Sequence, residues 1–372
     1  MNNLLVLGAG MVGSAIVKDL AKDNNVSVID ISEENLNKFS NLTSITTIKG
    51  DVSDNETIKK NCENTDLVIN AVPGFMGFST LQRIIECGKN VVDISFFNED
   101  PFELDEAAKK KNITAVVDCG VAPGLSNIIL GYHNSKMEIS SFECMVGGLP
   151  FKREWPYQYK APFSPIDVIE EYTRPARIIE NGKVVTKPAL SDLELVNIDT
   201  AGTLESFNTD GLRTLIKTMK IPNMKEKTLR YPGHTEYMKV LRESGFFSKD
   251  KIDVKGVKIS PLDLTSELLF PIWKRGPDEK EFTVLKIILK GDKNGEKINI
   301  VYSMFDEYDS ESGISSMART TGYTCTAVAR LLLANKFNRK GICPPEFIGE
   351  TEDCLNFVTE ELKKRGIFYN IN

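Results

Sequence analysis

The chain has 372 residues, 41% of them hydrophobic, more than a single core usually serves, so two domains that each bury a sizeable core are expected. A formal net charge of −6 leaves no broad basic field, which argues against nucleic acid or an anionic membrane surface as a partner. Seven scattered cysteines without a C-x-x-C pair, and two histidines, His133 and His234, argue against a disulfide framework, a zinc site or a multi-histidine centre, so no metal is expected.

From the N-terminus, residues 4–7, 26–30, 45–51, 67–72, 91–94 and 113–118 are short apolar, β-branched runs, the pattern of buried parallel strands. Between them, residues 14–22 carry Ile16 and Leu20 four apart, 32–39 open on a Ser cap and an acidic first turn, and 102–111 complete the helical stretches. Six strands alternating with helices predict an α/β, Rossmann-type doubly wound parallel sheet over residues 1–124. No basic-then-apolar leader opens the chain and no apolar run approaches a bilayer span, so a soluble, cytoplasmic protein is the expectation.

Gly8-Ala9-Gly10-Met11-Val12-Gly13 follows the first strand and opens a helix, the context a dinucleotide fingerprint requires. Gly8 permits the tight turn, Gly10 lets backbone approach a pyrophosphate, Gly13 lets helix and strand pack, and the helix N-terminus offers N–H groups to the phosphates. Asp30 ends the second strand, where a carboxylate can accept both ribose hydroxyls. The residues after it are Ile31-Ser32-Glu33-Glu34, with nothing cationic ready for a 2′-phosphate, so NAD is favoured over NADP. Asp51 after the third strand either faces the adenine or holds a surface turn. Ala71-Val72-Pro73 after the fourth strand sits where such folds lay the nicotinamide half.

Asp93 and Asp118 end two consecutive strands on the edge where open α/β sheets bind ligands. Oxidising an amine to an imine by hydride transfer first requires a neutral amine, and a carboxylate can orient the ammonium or pass its proton on. Each Asp alternatively caps the turn that follows its strand. Cys119 reads as a packed small residue and not a nucleophile.

Near residue 125 the alternation gives way to Pro-rich irregular stretches such as 150–165 among isolated strand patterns such as 142–146. Residues 282–290 and 297–305, joined through Asn294-Gly295, read as a long hairpin, so an α+β domain with an open, mostly antiparallel sheet is expected over 125–318. Residues 323–334 and 352–364 are helical patterns, Gly366 standing as a C-cap, and 319–372 are expected to return to the first domain.

The run Asp118-Cys119-Gly120-Val121-Ala122-Pro123-Gly124 resembles the acid–x–Gly–x–x–Pro–Gly segment by which the saccharopine dehydrogenase family joins its dinucleotide domain to its catalytic domain. The resemblance continues through Gly147-Gly148-Leu149-Pro150, Tyr159-Lys160, Phe163-Ser164-Pro165, Arg174-Pro175-Ala176, Asn181-Gly182-Lys183, Leu229-Arg230-Tyr231-Pro232-Gly233-His234, Ser316-Met317-Ala318-Arg319-Thr320-Thr321 and Gly341-Ile342-Cys343-Pro344-Pro345-Glu346. Saccharopine-acting members carry Asp before the Pro-Gly and an Asp-His pair after it, whereas Ala122, Ser126 and Asn127 stand here. With Thr209-Asp210-Gly211, that departure is similar to the lysine 6-dehydrogenase branch.

What this resemblance implies is oxidative deamination of L-lysine at its ε-carbon with NAD and water, giving 2-aminoadipate 6-semialdehyde, ammonia and NADH. Such a substrate needs a cation for its carboxylate, and Arg230 and Arg319 are the candidates, each alternatively a structural ion pair. His234 either exchanges protons near neutral pH or starts a helix and bonds to backbone. Ser95, Tyr159 and Thr320 are further substrate-contact candidates. The resemblance also implies a homodimer through the second domain's sheet, or a higher homo-oligomer. A secondary-amine reductase of the saccharopine or carboxynorspermidine type is the alternative, favoured if arginines such as Arg153, Arg174 or Arg177 converge on the site. A non-catalytic NAD-binding sensor is the alternative of another class.

Overall fold

A computed structural model describes residues 1–276 and 279–372. The chain divides into two compact units, Met1–Met137 with Ala318–Phe368, and Glu138–Met317 with Tyr369–Asn372.

The first unit is built on a parallel sheet in the spatial order Gly341–Cys343, Thr114–Val116, Val91–Asp93, Leu67–Asn70, Asn3–Leu7, Asn25–Asp30, Ile45–Lys49. Buried Leu5, Leu7, Ile29, Val68, Val91 and Ala115 supply the core that makes these segments strands, apolar on both faces because helices cover both. The order reverses between Asn3–Leu7 and Leu67–Asn70, the switch point outside which such sheets hold ligands.

Six strands were expected, and the seventh is Gly341–Cys343, which pairs in parallel with Thr114–Val116. Three residues before Pro344 are too short a run to stand out as a strand by pattern. The strand expected over 45–51 ends at Lys49, and the helix expected over 102–111 is a 3-10 turn, Pro101–Leu104, followed by Asp105–Lys110.

Helix Leu125–Asn134 belongs to the first unit, so the division expected at residue 125 falls after Met137. The reason lies in packing. A side chain at Gly131 would collide with the Glu346 carbonyl, so the helix backbone lies directly against Pro345–Gly349, and Asn127 Nδ2 donates to Glu346 Oε2 at 3.0 Å inside that contact.

The second unit holds a nine-stranded sheet. Glu138–Pro150 and Asn223–Arg230 run parallel, and the other pairings in it are antiparallel. Strands Glu281–Lys293 and Glu296–Glu307 form the long hairpin, closed at Asn294 and Gly295 with φ of 57° and 88°, the positive values a two-residue type I′ turn requires. Helices Pro165–Thr173, His234–Glu243 and Pro261–Trp273 contribute Val168, Tyr172, Met238, Leu269 and Trp273 to one core with Tyr159 and Phe207.

Candidate active site

The glycine loop is held by its own backbone. Gly8 lies at φ 99°, and a Cβ there would come within 2.5 Å of the Ala71 carbonyl oxygen, so the loop after the fourth strand presses directly on the fingerprint. Ala71 is anchored in turn by its N–H to Leu7 O at 2.9 Å, Val72 is buried, and Pro73 precedes helix Gly74–Glu86. A Cβ on Gly13 would strike Gly8 O, whereas one on Gly10 would meet nothing within 4 Å. No side chain caps helix Met11–Leu20, which leaves the N–H groups of Met11, Val12 and Gly13 for a phosphate.

Asp30 is oriented onto this loop: Oδ2 accepts from Ala9 N at 2.6 Å and Oδ1 from Ser32 N at 2.7 Å. The residues therefore fit a dinucleotide, with open space at Gly10 for the pyrophosphate and a fixed carboxylate for the ribose. A cation is present as well. Lys38, at the C-cap of helix Glu33–Asn37, reaches to 2.7 Å from Asn35 Oδ1 and 3.5 Å from Ala9 O, so the absence of a nearby positive charge inferred from residues 31–34 does not hold. Asp51 is exposed and accepts from Ser53 N at 2.8 Å, the surface-turn arrangement.

At the ends of the fourth and fifth strands lies a buried polar cluster. Asp93 is fully buried; its Oδ1 accepts from Ser95 N and Ser95 Oγ at 2.7 and 2.6 Å, and its Oδ2 from Asn70 Nδ2 at 2.5 Å. Burial pushes its carboxyl up to about 7 against the pull of those hydrogen bonds, and the Asp118 charge adds to the rise. Asn70 also donates to Gly77 O at 3.3 Å, and a Cβ on Gly77 would strike Ser95, so the cluster fixes the start of helix Gly74–Glu86. Asp118 takes a φ of 53°. The Cys119 thiol is pushed well up by burial, with Asp93 and Asp118 adding to it, as befits a packed thiol and not a nucleophile.

The remaining first-unit candidates are on helix Ser316–Leu333. Arg319 donates to Arg365 O at 3.1 Å with its guanidinium 5.7 Å from the Tyr323 ring centre, and Thr320 is buried, its carbonyl accepting from Thr324 Oγ1 at 2.8 Å. Asn127, one of the departures from the saccharopine-acting pattern, is fully buried; its Oδ1 accepts from Gly124 N at 3.3 Å and from Ser126 Oγ at 3.1 Å. Asn127 thus caps its helix and binds Glu346, and Ser126 donates to Asn127, which gives both work inside the fold.

In the second unit Tyr159, Arg230 and His234 come together around Trp273, joined by Tyr172 and Glu171, two residues the sequence did not single out. Arg230 Nη2 pairs with Glu171 Oε2 at 2.6 Å, its Nε donates to Tyr172 Oη at 3.2 Å, and its face lies 4.5 Å from the Tyr159 ring centre. Burial alone would lower its pKa, but the Tyr159, Tyr172 and Glu171 oxygens around it hold the net shift upward. The structural-ion-pair alternative for Arg230 is what this geometry matches.

His234 starts its helix with both ring nitrogens engaged, Nδ1 with Tyr157 O at 3.0 Å and Nε2 with Tyr172 Oη at 2.9 Å. A carbonyl can only accept, so Nδ1 carries the proton and Nε2 accepts from the tyrosine. Burial, and then the Arg230 charge, lower its pKa to about 3, so the ring is neutral at physiological pH. Nearby, Arg177 grips Asp210 through Nε and Nη2 at 2.8 and 2.7 Å, and Arg174 pairs with Glu170 at 3.5 Å. Burial and then the like charge of Arg213, itself only 7% exposed, pull the Arg174 pKa below its ordinary value.

Residues 4–116 match the saccharopine dehydrogenase NADP binding domain and residues 120–367 the saccharopine dehydrogenase C-terminal domain. The chain belongs to the saccharopine dehydrogenase family. Among relatives of this family member, the mitochondrial alpha-aminoadipic semialdehyde synthase of Mus musculus is 22% identical over 99% of this chain and 47% of its own length. The saccharopine dehydrogenase [NADP(+), L-glutamate-forming] of Schizosaccharomyces pombe is 27% identical over 67% of this chain and 59% of its own. The chain thus spans about half the length of these curated relatives. Apo saccharopine dehydrogenase (L-Glu forming) from Saccharomyces cerevisiae shares the fold, with a TM-score of 0.80 at 21% identity, covering 100% of this chain and 99% of the other. Membership gives residues 4–116 the family's NAD(P)-binding domain. Among the described residues no helix is long and apolar enough to cross a membrane, and no group of three or more His, Cys, Asp or Glu is arranged to hold a metal ion.

Proposed function

We propose that this protein oxidises, or forms by reduction, a secondary amine that joins an amino acid to a dicarboxylic acid, with saccharopine the leading substrate. The observation that carries the reading is the match of residues 4–116 and 120–367 to the two saccharopine dehydrogenase domains; beside it, the Arg213 charge acts on Arg174 in the second unit, where both side chains are largely buried. A substrate with several carboxylates rewards paired guanidiniums that a lysine, with one carboxylate and two amines, does not need. The names of the relatives point the same way. Two of the departures that spoke for ε-deamination of lysine lose weight, because Asn127 caps its helix and Ser126 donates to it.

A bound dinucleotide would supply the hydride acceptor; Gly8, Gly10, Met11, Val12, Gly13 and Asp30 would hold it, and Asp30 favours NAD. Hydride loss from the carbon beside nitrogen leaves an imine, water adds to that carbon, and the C–N bond breaks to give a primary amine and a carbonyl. Proton exchange at nitrogen and at the added water falls to Asp93, whose carboxyl titrates near neutrality, and to Asp118, while Ser95 orients Asp93. Arg230 and His234 form a neutral-to-cationic wall that keeps Tyr159 and Tyr172 in place.

Steady-state oxidation of saccharopine, L-lysine and L-ornithine with NAD or NADP tests this. Turnover of saccharopine is expected, with Arg213→Ala raising its KM roughly tenfold and changing kcat less, as loss of a charged contact to a carboxylate does. Turnover of lysine alone would overturn the secondary-amine reading and return the enzyme to ε-deamination; no turnover of any amine beside tight dinucleotide binding would make it a sensor.

A further inference from the structure

Asp30 by itself describes a ribose pocket that rejects a 2′-phosphate, because a carboxylate repels one. The surroundings of Asp30 are more balanced than that. Asn35 Nδ2 stands 3.4 Å from each Asp30 carboxylate oxygen, and the same side chain's Oδ1 accepts from Lys38 Nζ at 2.7 Å. Asn35 thereby bridges the carboxylate to an ammonium that also approaches the Ala9 carbonyl of the fingerprint loop at 3.5 Å. An ammonium has three N–H donors. Two are directed at Asn35 and Ala9, and the side chain is exposed enough for the third to reach a ligand over the loop. Burial lowers the Lys38 pKa; the Asp30 and Glu34 charges oppose that fall and Lys18 adds to it.

We propose that Lys38 is a cofactor-selecting residue: docked by Asn35 beside Asp30, it offers a charge-assisted hydrogen bond to a 2′-phosphate and so lets the pocket accept NADP as well as NAD. The inference rests on the reading that this loop binds a dinucleotide. Asp30 supplies the attraction for two free hydroxyls, and Lys38 removes most of the penalty for phosphate at one of them. Cofactor choice is then a balance between two neighbouring charges, and removal of either tips it.

Binding of NADH and NADPH by fluorescence, and of 5′-AMP and 2′,5′-ADP by calorimetry, is compared for the full chain, Lys38→Gln and Lys38→Arg. The expected result is that the parent binds NADPH within about tenfold of NADH, and that Lys38→Gln weakens NADPH and 2′,5′-ADP roughly tenfold, the worth of one charge-assisted hydrogen bond. NADH and 5′-AMP should hardly change, and Lys38→Arg should restore the phosphate-bearing ligands. Equal weakening of both ligand pairs, or no change in their ratio, overturns the role of Lys38. Rejection of NADPH by the parent does so too. Binding of neither dinucleotide would instead remove the cofactor reading itself, so the two failures are distinguishable.

Discussion

A methyl group added at Gly10 would meet no protein atom within 4 Å, and the residue's φ of −64° suits any L-amino acid. Nothing in the fold demands glycine there, in contrast to Gly8 and Gly13, whose Cβ atoms would strike backbone. Gly10→Ala should therefore leave the melting temperature unchanged or slightly higher, since alanine restricts the unfolded chain by about 0.4–1 kcal/mol. Dinucleotide affinity should fall at least about tenfold, as a clash with the pyrophosphate would cause; unaltered affinity in a fluorescence titration would show that the phosphates lie elsewhere. His234 gives a second residue-scale expectation. Its folded pKa of about 3 lies below the ordinary 6.5, so it favours the folded state fully above pH 6.5 and progressively less as pH falls toward 3. The stability difference between the parent and His234→Gln, followed by urea unfolding, should shrink over that window; a difference independent of pH would mean that the ring is charged in the fold. Residue chemistry of this kind was half legible. Asp30 and the glycines announce themselves by spacing, whereas Lys38 reaches Asn35 and Ala9 only because helix Glu33–Asn37 turns it back.

Between elements, the C-terminal helices bind the fingerprint helix. Asp19, near the C-terminal end of Met11–Leu20, accepts from Arg330 Nη1 at 2.8 Å, Arg365 Nε at 2.7 Å and Thr326 Oγ1 at 2.7 Å, with its side chain fully buried. Burial opposes its ionisation, but the two guanidiniums and the threonine keep its carboxyl below the usual carboxylate range. An acid at a helix C-terminus opposes the macrodipole, so its presence here is explained by its partners. Gly322 completes the contact, since a Cβ would sit 3.2 Å from Ile16 and 3.5 Å from the Val12 carbonyl. Asp19→Ala removes the buried carboxylate that the two guanidiniums share, while Arg330 keeps Asp23 at 2.7 Å and Arg365 keeps Glu361 at 2.8 Å, so about 1.5–3 kcal/mol of destabilisation is expected by chemical denaturation. A loss under about 1 kcal/mol would show that Asp23 and Glu361 suffice for the two guanidiniums. That residues 323–334 and 352–364 are helices was visible from periodicity, while their ion pairs to Asp19, some 300 positions away in sequence, were not.

For the whole molecule, local patterning determined what it can determine. Short β-branched runs alternating with amphipathic stretches specified the parallel sheet, the Asn-Gly turn specified the long hairpin, and glycine spacing with a following acid specified a dinucleotide loop. Each of these rests on interactions between residues near in sequence or on a repeating period, so one chain read in order suffices. Tertiary structure alone decided the rest: that Gly341–Cys343 adds a seventh strand, that helix Leu125–Asn134 stays with the first unit, and that Arg230 and His234 share the Tyr172 hydroxyl. Those outcomes depend on which buried charges and hydrogen-bonding groups find partners from distant segments, and an unpaired polar group in the interior is costly enough that the fold, not the local sequence, assigns the pairing.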